Sequence, residues 1–202
     1  NKSKITEDEA KDFDSILAKA KVTFPMSNSW YVNGFYDGLS LFGEKGNDAD
    51  AGMVFPKDGG DVTAYLADVV ANPNFSNDDG ASGLAAIKDG SADVLFSGTW
   101  SAQDVKDALG DNYAATSLPT FTVNGQKKQM KSFAATKAAA YNPNAKNPKA
   151  AAQFAAYLGS TEAQKLHYEM RAIPPTDKSL SDLTVDDIAA KAQADTMANT
   201  AL

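Results

Sequence analysis

The chain has 202 residues, 43% of them apolar and 22% charged, which is ordinary for a globular protein and enough for one good core or two small ones. A formal charge of −7 argues against a nucleic-acid partner, which needs a cationic footprint, and no apolar run approaches the roughly 20 residues that cross a bilayer. With no cysteine and one histidine, His167, thiolate chemistry, disulfides and multi-histidine metal sites drop out and a histidine-based triad has little to build on. No metal and no cofactor is therefore expected.

The N-terminus lacks a basic stretch followed by an apolar one; NKSK leads straight into a helix, as in an excised piece. Thr6-Glu7-Asp8-Glu9 reads as a capping box. Ala10, Phe13, Ile16, Leu17 and Ala20 then recur at helical spacing, predicting one helix to about Lys21. Val22-Thr23-Phe24 is a strand candidate stopped by Pro25, and Asn28–Phe42, rich in aromatics and glycine, reads as a helix entered through a loop. Glu44–Asp61 reads as loop with a brief strand at Met53-Val54-Phe55. A helix over Asp61–Ala71 ends at Asn72-Pro73-Asn74, and Ser76–Gly80 reads as polar linker.

The segment Gly83–Trp100 gives a short helix ending at Gly90, a buried strand Ala92–Ser97, and an indole after Gly98. Ser101 is then the expected N-cap of a helix Ala102–Leu109 closed by Gly110. Asn124-Gly125 predicts a tight turn joining Pro119–Val123 to Lys127–Phe133. Ala134, Ala135 and Ala138–Ala140 form a small-residue run. Asn147 and Pro148 open a helix to Leu158, Ser160 or Thr161 caps the next, and Ile173-Pro174-Pro175-Thr176 stops it. Thr184 and Asp187 open a last amphipathic helix. Strands alternating with helices make the fold class α/β.

The run Ile87-Lys88-Asp89-Gly90, Ala92-Asp93-Val94-Leu95-Phe96, Ser97-Gly98-Thr99-Trp100 resembles the second-lobe signature of family 1 extracellular solute-binding proteins, the maltose/maltodextrin-binding branch of ABC importers. The likeness continues through strand-like Tyr113–Thr116 into Leu118-Pro119-Thr120-Phe121. It extends through Asn147–Phe154 to Ala172-Ile173-Pro174-Pro175, so it covers most of the chain. Where the family commonly has a proline before the tryptophan, this chain has Thr99.

The resemblance implies a periplasmic-binding-protein-like (type II) lobe, a mixed sheet flanked by helices, in an incomplete two-lobe protein. It places residues 1–130 in a second-lobe core, 131–175 in a hinge-crossing segment belonging to the first lobe, and 176–202 back in the second. It implies extracellular binding of a maltodextrin-type oligosaccharide for an ABC transporter permease, by a bacterial surface lipoprotein in its full-length form, with no bond chemistry. Trp100 and Trp30 become stacking platforms in one cleft, with Asn28 and Ser29 beside Trp30 and Tyr31 as a weaker candidate. The bland alternative is that both indoles are core side chains of an α/β module without a small-molecule ligand; another oligosaccharide or a peptide is a further alternative ligand.

Two other features bear on chemistry. Acids such as Asp48, Asp58, Asp61, Asp78 and Asp79 sit in Gly/Asn-rich stretches, where turn formation and solvation explain them without catalysis. Between Gly125 and Gly159, Lys127, Lys128, Lys131, Lys137, Lys146 and Lys149 occur with no acid. They read as a solvated face, or as a contact for an anionic membrane surface or transporter. The apolar side chains of residues 132–174 are expected to fold back on the core, to swap between chains in a dimer, or to meet a neighbour.

Overall fold

The computed structural model describes residues 1–133, 137–198 and the backbone of 200–201; Ala134 and Ala135 of the small-residue run lie outside the described residues. The Thr6–Glu9 capping box forms, the Thr6 amide donating to the Glu9 carboxylate and the Glu9 amide to the Thr6 hydroxyl. It opens only a 3-10 turn over Glu9–Lys11, because Asp12 is extended (φ −134°, ψ 121°). Asp12 then caps α1 (Phe13–Lys19), accepting from the Ser15 amide at 2.9 Å. The expected single helix is thus two pieces with two caps.

The Lys19 ammonium hydrogen-bonds to the Glu9 carboxylate and, with the Thr6 donors, holds its pKa down to about 2. Folding therefore favours the charged form, and the unfolded chain binds more protons between about pH 4.5 and 2. Stability is expected to fall as pH falls through that window, and Glu9→Gln should flatten that part of the acid-unfolding curve. An unchanged curve would count against the pairing.

Three strands form a parallel sheet in the order β4-β1-β5: β1 (Val22–Phe24) at the centre, β4 (Phe75–Asn77) on one side and β5 (Val94–Leu95) on the other. Between β1 and β4 run α2 (Ser29–Val32), a 3-10 turn over Asn33–Phe35, the antiparallel ribbon β2 (Ser40–Leu41) and β3 (Met53–Val54), and α3 (Gly59–Ala71). The helix expected over Asn28–Phe42 shrinks to α2 and the 3-10 turn after it: Tyr36 leaves the helical region (φ −97°, ψ 84°), and Gly38, at a left-handed φ of 84°, turns the chain away. The expected linker at Ser76 belongs to β4. As an edge strand its polar side chains need no apolar alternation, and the Ser76 hydroxyl donates to the Val22 carbonyl (3.1 Å).

After β4 come α4 (Ser82–Asp89), closed by left-handed Gly90, then β5, a 3-10 turn over Thr99–Ser101, and α5 (Ala102–Leu109). The expected Ser101 cap does not form. Ser101 is already helical (φ −94°, ψ −6°), and its hydroxyl pairs with that of Ser97 at 2.9 Å. Tyr113–Thr116 is not a strand. The hairpin of β6 (Thr120–Val123) and β7 (Gln126–Gln129) turns at Asn124 and Gly125, both at positive φ, as the Asn-Gly pair demands. Its second arm stops at Gln129, and β8 (Ser132–Phe133) instead pairs parallel with β9 (Thr200–Ala201).

Beyond it lie α6 (Pro148–Leu158), α7 (Thr161–Arg171), a 3-10 stretch over Lys178–Thr184, and α8 (Ile188–Met197). Ser160 caps α7 and Asp187 caps α8, whereas the Asn147 side chain makes no capping bond. Helix α6 buries none of its side chains; Phe154 is 62% exposed and Met170 on α7 75%. Within one chain α6 is thus not folded back on the core, whereas Phe133, at the start of the same segment, packs on Trp30.

The core is aromatic. Phe13, Phe24, Phe35, Phe96 and Phe121 are buried and meet mostly edge to face, Phe35 and Phe121 at 4.9 Å between centroids. The hairpin delivers Phe121 and Val123 to this core and locks on from outside: Lys127 pairs with Asp12 (3.3 Å), Lys128 with Asp58, and Lys131 with Asp37 (2.6 Å). Half of the expected solvated lysine face is therefore an ion-paired seam. Burial, together with a hydrogen bond to Asp14 (2.7 Å), pushes the Tyr65 hydroxyl pKa far up. The other Asp14 oxygen accepts from the Thr122 amide (3.0 Å), which ties the hairpin to α1 and α3.

Gly34 is the closest approach in this assembly. A Cβ there would lie 2.0 Å from the Lys131 carbonyl oxygen, and the Lys131 amide donates to the Gly34 carbonyl at 2.8 Å. Backbone cannot yield as a side chain can, so Gly34→Ala is expected to cost about 3 kcal/mol, the upper part of the usual overpacking range. Urea denaturation checks this; a loss below about 0.5 kcal/mol would show that the two segments can separate freely.

Candidate functional site

The three parallel strands end on one side of the sheet, and the chain leaving each of them walls a single depression. Pro25 to Tyr31 follow β1, Asp78 to Ala81 follow β4, and Phe96 to Ser101 follow β5, enclosing a cavity of about 500 Å³. Ligands of open α/β sheets bind at this edge because it is ringed by loops and helix starts rather than by packed side chains. Hydrogen bonds brace the walls: the Asp78 amide donates to the Phe24 carbonyl (3.0 Å) and the Ser27 amide to the Asn77 side chain (3.2 Å).

Trp100 stands at this cavity with 64% of its surface exposed. Ser97, Ser101 and, on the first turn of α5, Asp104 also line the cavity, Asp104 paired with Lys88 at 2.9 Å. Asn28 and Tyr31, from the chain leaving the central strand β1, line the same cavity. The Asn28 carbonyl oxygen caps α2 by accepting from the Trp30 amide (3.0 Å), while its NH2 group donates to nothing among the described residues. Burial, aided by the nearby Asp78 carboxylate, raises the pKa of the Tyr31 hydroxyl, so it stays a neutral donor and acceptor.

Trp30 and Ser29 do not line this cavity. Trp30 is 46% exposed, and its ring packs on Phe133 at 5.4 Å between centroids. Ser29 is exposed on the first turn of α2. Neither indole is a core side chain, contrary to that part of the bland alternative. The structure thus brings together Trp100, Tyr31 and Asn28, and places Trp30 and Ser29 outside that depression.

Asp78 lines the cavity but is not the solvated turn residue expected from its Asp/Gly-rich stretch. It is buried, and its Oδ1 accepts from the amides of Gly80 (2.8 Å) and Gly83 (2.9 Å) and from the Ser82 hydroxyl (3.3 Å). A Cβ at Gly83 would come within 2.4 Å of its Oδ2. The pattern Asp-x-Gly-x-Ser-Gly at the start of a helix was the available signal.

The chemistry on offer is that of a polyhydroxylated, partly apolar ligand: an indole surface, an amide donor, a phenol, serine hydroxyls and carboxylates. The family model for the bacterial extracellular solute-binding protein matches residues 1–199. The chain belongs to that family. No curated protein matches it by sequence. A solved structure of a protein with acarbose is 39% identical to this solute-binding chain, covers all of it and 54% of that chain, and superposes with a TM-score of 0.91. The maltodextrin-binding protein MalE1 from L. casei BL23, without ligand, is 27% identical over 95% of this chain and 52% of that one, with a TM-score of 0.76. The present chain thus spans about half the length of the solved proteins it matches. The α/β fold expected for a lobe of such a protein is the fold observed.

Proposed function

We propose that this solute-binding chain holds a maltodextrin-type oligosaccharide at the carboxyl edge of its parallel sheet, for delivery to the permease of an ABC importer. The observation that carries this reading is the exposed Trp100 at a cavity that Asn28 and Tyr31 also line, the Asn28 NH2 group having no acceptor among the described residues. A pyranose has one C–H-rich face suited to an indole and a rim of hydroxyls that need donors and acceptors. The likeness to a protein solved with acarbose, an oligosaccharide mimic, supports this ligand class.

The work is binding, with no bond made or broken. Asp78, the buried carboxylate of the site, is occupied by three donors of its own loop, which suits a fixed acceptor better than a proton-transfer group. We infer that residues 1–130 form a second-lobe core, that 131–175 cross to a first lobe, and that 176–202 return. The exposed Phe154, Tyr157 and Met170 support this division, since a lobe packed on them would bury them; exchange of this segment in a swapped dimer would serve the same end. Surface display as a lipid-anchored protein rests on the family resemblance alone. Trp30 and Ser29, on the neighbouring turn, would then serve a longer ligand that runs past the cavity.

Intrinsic fluorescence tests the reading. Maltose, maltotriose and longer maltodextrins are titrated against unrelated oligosaccharides and a peptide. A saturable change with maltodextrins is expected. A response only to the peptide, or none in the chain and none in Trp100→Ala, would overturn it.

A further inference from the structure

Gly98 sits at the carboxyl end of the sheet with φ −103° and ψ 178°, an extended conformation that any residue adopts. Glycine is therefore not needed there for the backbone. The space around it says why it is glycine: a Cβ would lie 2.2, 2.3 and 2.5 Å from Cζ3, Cη2 and Cε3 of Trp100. Carbon atoms in contact normally stand about 3.5–4.0 Å apart. The benzo half of the indole thus occupies the volume that a side chain at position 98 would fill.

We infer that Gly98 is a positioning residue for Trp100: its missing side chain is the seat that fixes the indole's orientation at the cavity. This inference rests on the sugar-binding reading of Trp100 for its functional consequence, though not for the geometry. The backbone under the seat is held from both ends. The Ser101 amide donates to the Gly98 carbonyl at 3.1 Å, and the Ser97 and Ser101 hydroxyls meet at 2.9 Å. A methyl group at position 98 therefore displaces the indole rather than the loop. An aromatic platform that is 64% exposed has few other neighbours to define its rotamer. Without the seat it would have to be ordered by the ligand, which weakens binding.

Trp30→Phe leaves Trp100 as the only indole of the chain and serves as background. In it, Gly98→Ala is expected to shift the Trp100 emission and change its quenching by acrylamide, with circular dichroism and Tm unchanged. Maltotriose affinity should fall about tenfold. Gly98→Ala added to Trp100→Ala should weaken binding no further, because both changes act through one indole. Unchanged emission and quenching in Gly98→Ala would overturn the inference, as would a further loss in the double variant. The quenching measurement needs no sugar. If the chain binds no maltodextrin, the proposed function fails, while the seat is still supported or refuted by that measurement.

Discussion

Trp100→Ala is expected to cost about 2–3 kcal/mol of maltotriose binding, a roughly 30- to 150-fold loss of affinity, with the fold intact. The indole is mostly exposed and outside the aromatic core, so removing it leaves no internal void. What is lost is the apolar surface that a pyranose would cover, and the aromatic preference added to it. The starting affinity should itself be modest. Cleft ligands are typically buried over about 70–90% of their surface, and these 202 residues, which span about half the length of the solved relatives, would cover a sugar from one side. Calorimetry or NMR titration at millimolar sugar decides the matter. Equal affinity in Trp100→Ala and the parent chain would move the site elsewhere.

Phe13→Ala is expected to have the largest effect on stability, about 3–5 kcal/mol. Phe13 is completely buried and meets Phe24, Phe35 and Phe96 edge to face, with centroids 6.2, 5.7 and 5.4 Å away. Those three rings come from β1, the turn after α2 and the strand end beside the cavity, so no single element can close the gap by shifting. Domains of this size are stable by only about 5–15 kcal/mol, and urea unfolding should show a much lower midpoint with a similar slope. A loss under about 1 kcal/mol would mean that the core repacks around the vacancy.

Much of this was legible in the residues because its causes are local. The helices over Gly59–Ala71, Ser82–Asp89, Ala102–Leu109 and Pro148–Leu158 follow from apolar spacing bounded by glycine, proline or asparagine, and the hairpin follows from Asn124-Gly125. The strand β4 was hidden because an edge strand of polar residues has no alternation to betray it. Asp12 was hidden because its capping role falls inside a run of correct helical spacing. Trp100 at a strand end could be placed beside a cavity from order alone. The pairing of Trp30 with Phe133 could not, since those rings come from distant parts of the chain. The burial of Asp78 depends on a gap left by Gly83, which helical spacing marks only as the first residue of a helix.

The seam of Lys127, Lys128 and Lys131 against Asp12, Asp58 and Asp37 joins the two ends of the first 131 residues, and Phe121 closes the core between them. Such distant pairings make for slow assembly, since a long loop must close before its contacts form. During synthesis, the rings of Phe35 and Tyr65 stay without their lid until the hairpin has left the ribosome. A nascent chain ending before Thr120 is therefore expected to leave those rings open to chaperones and proteases, with full compactness arriving in one late step.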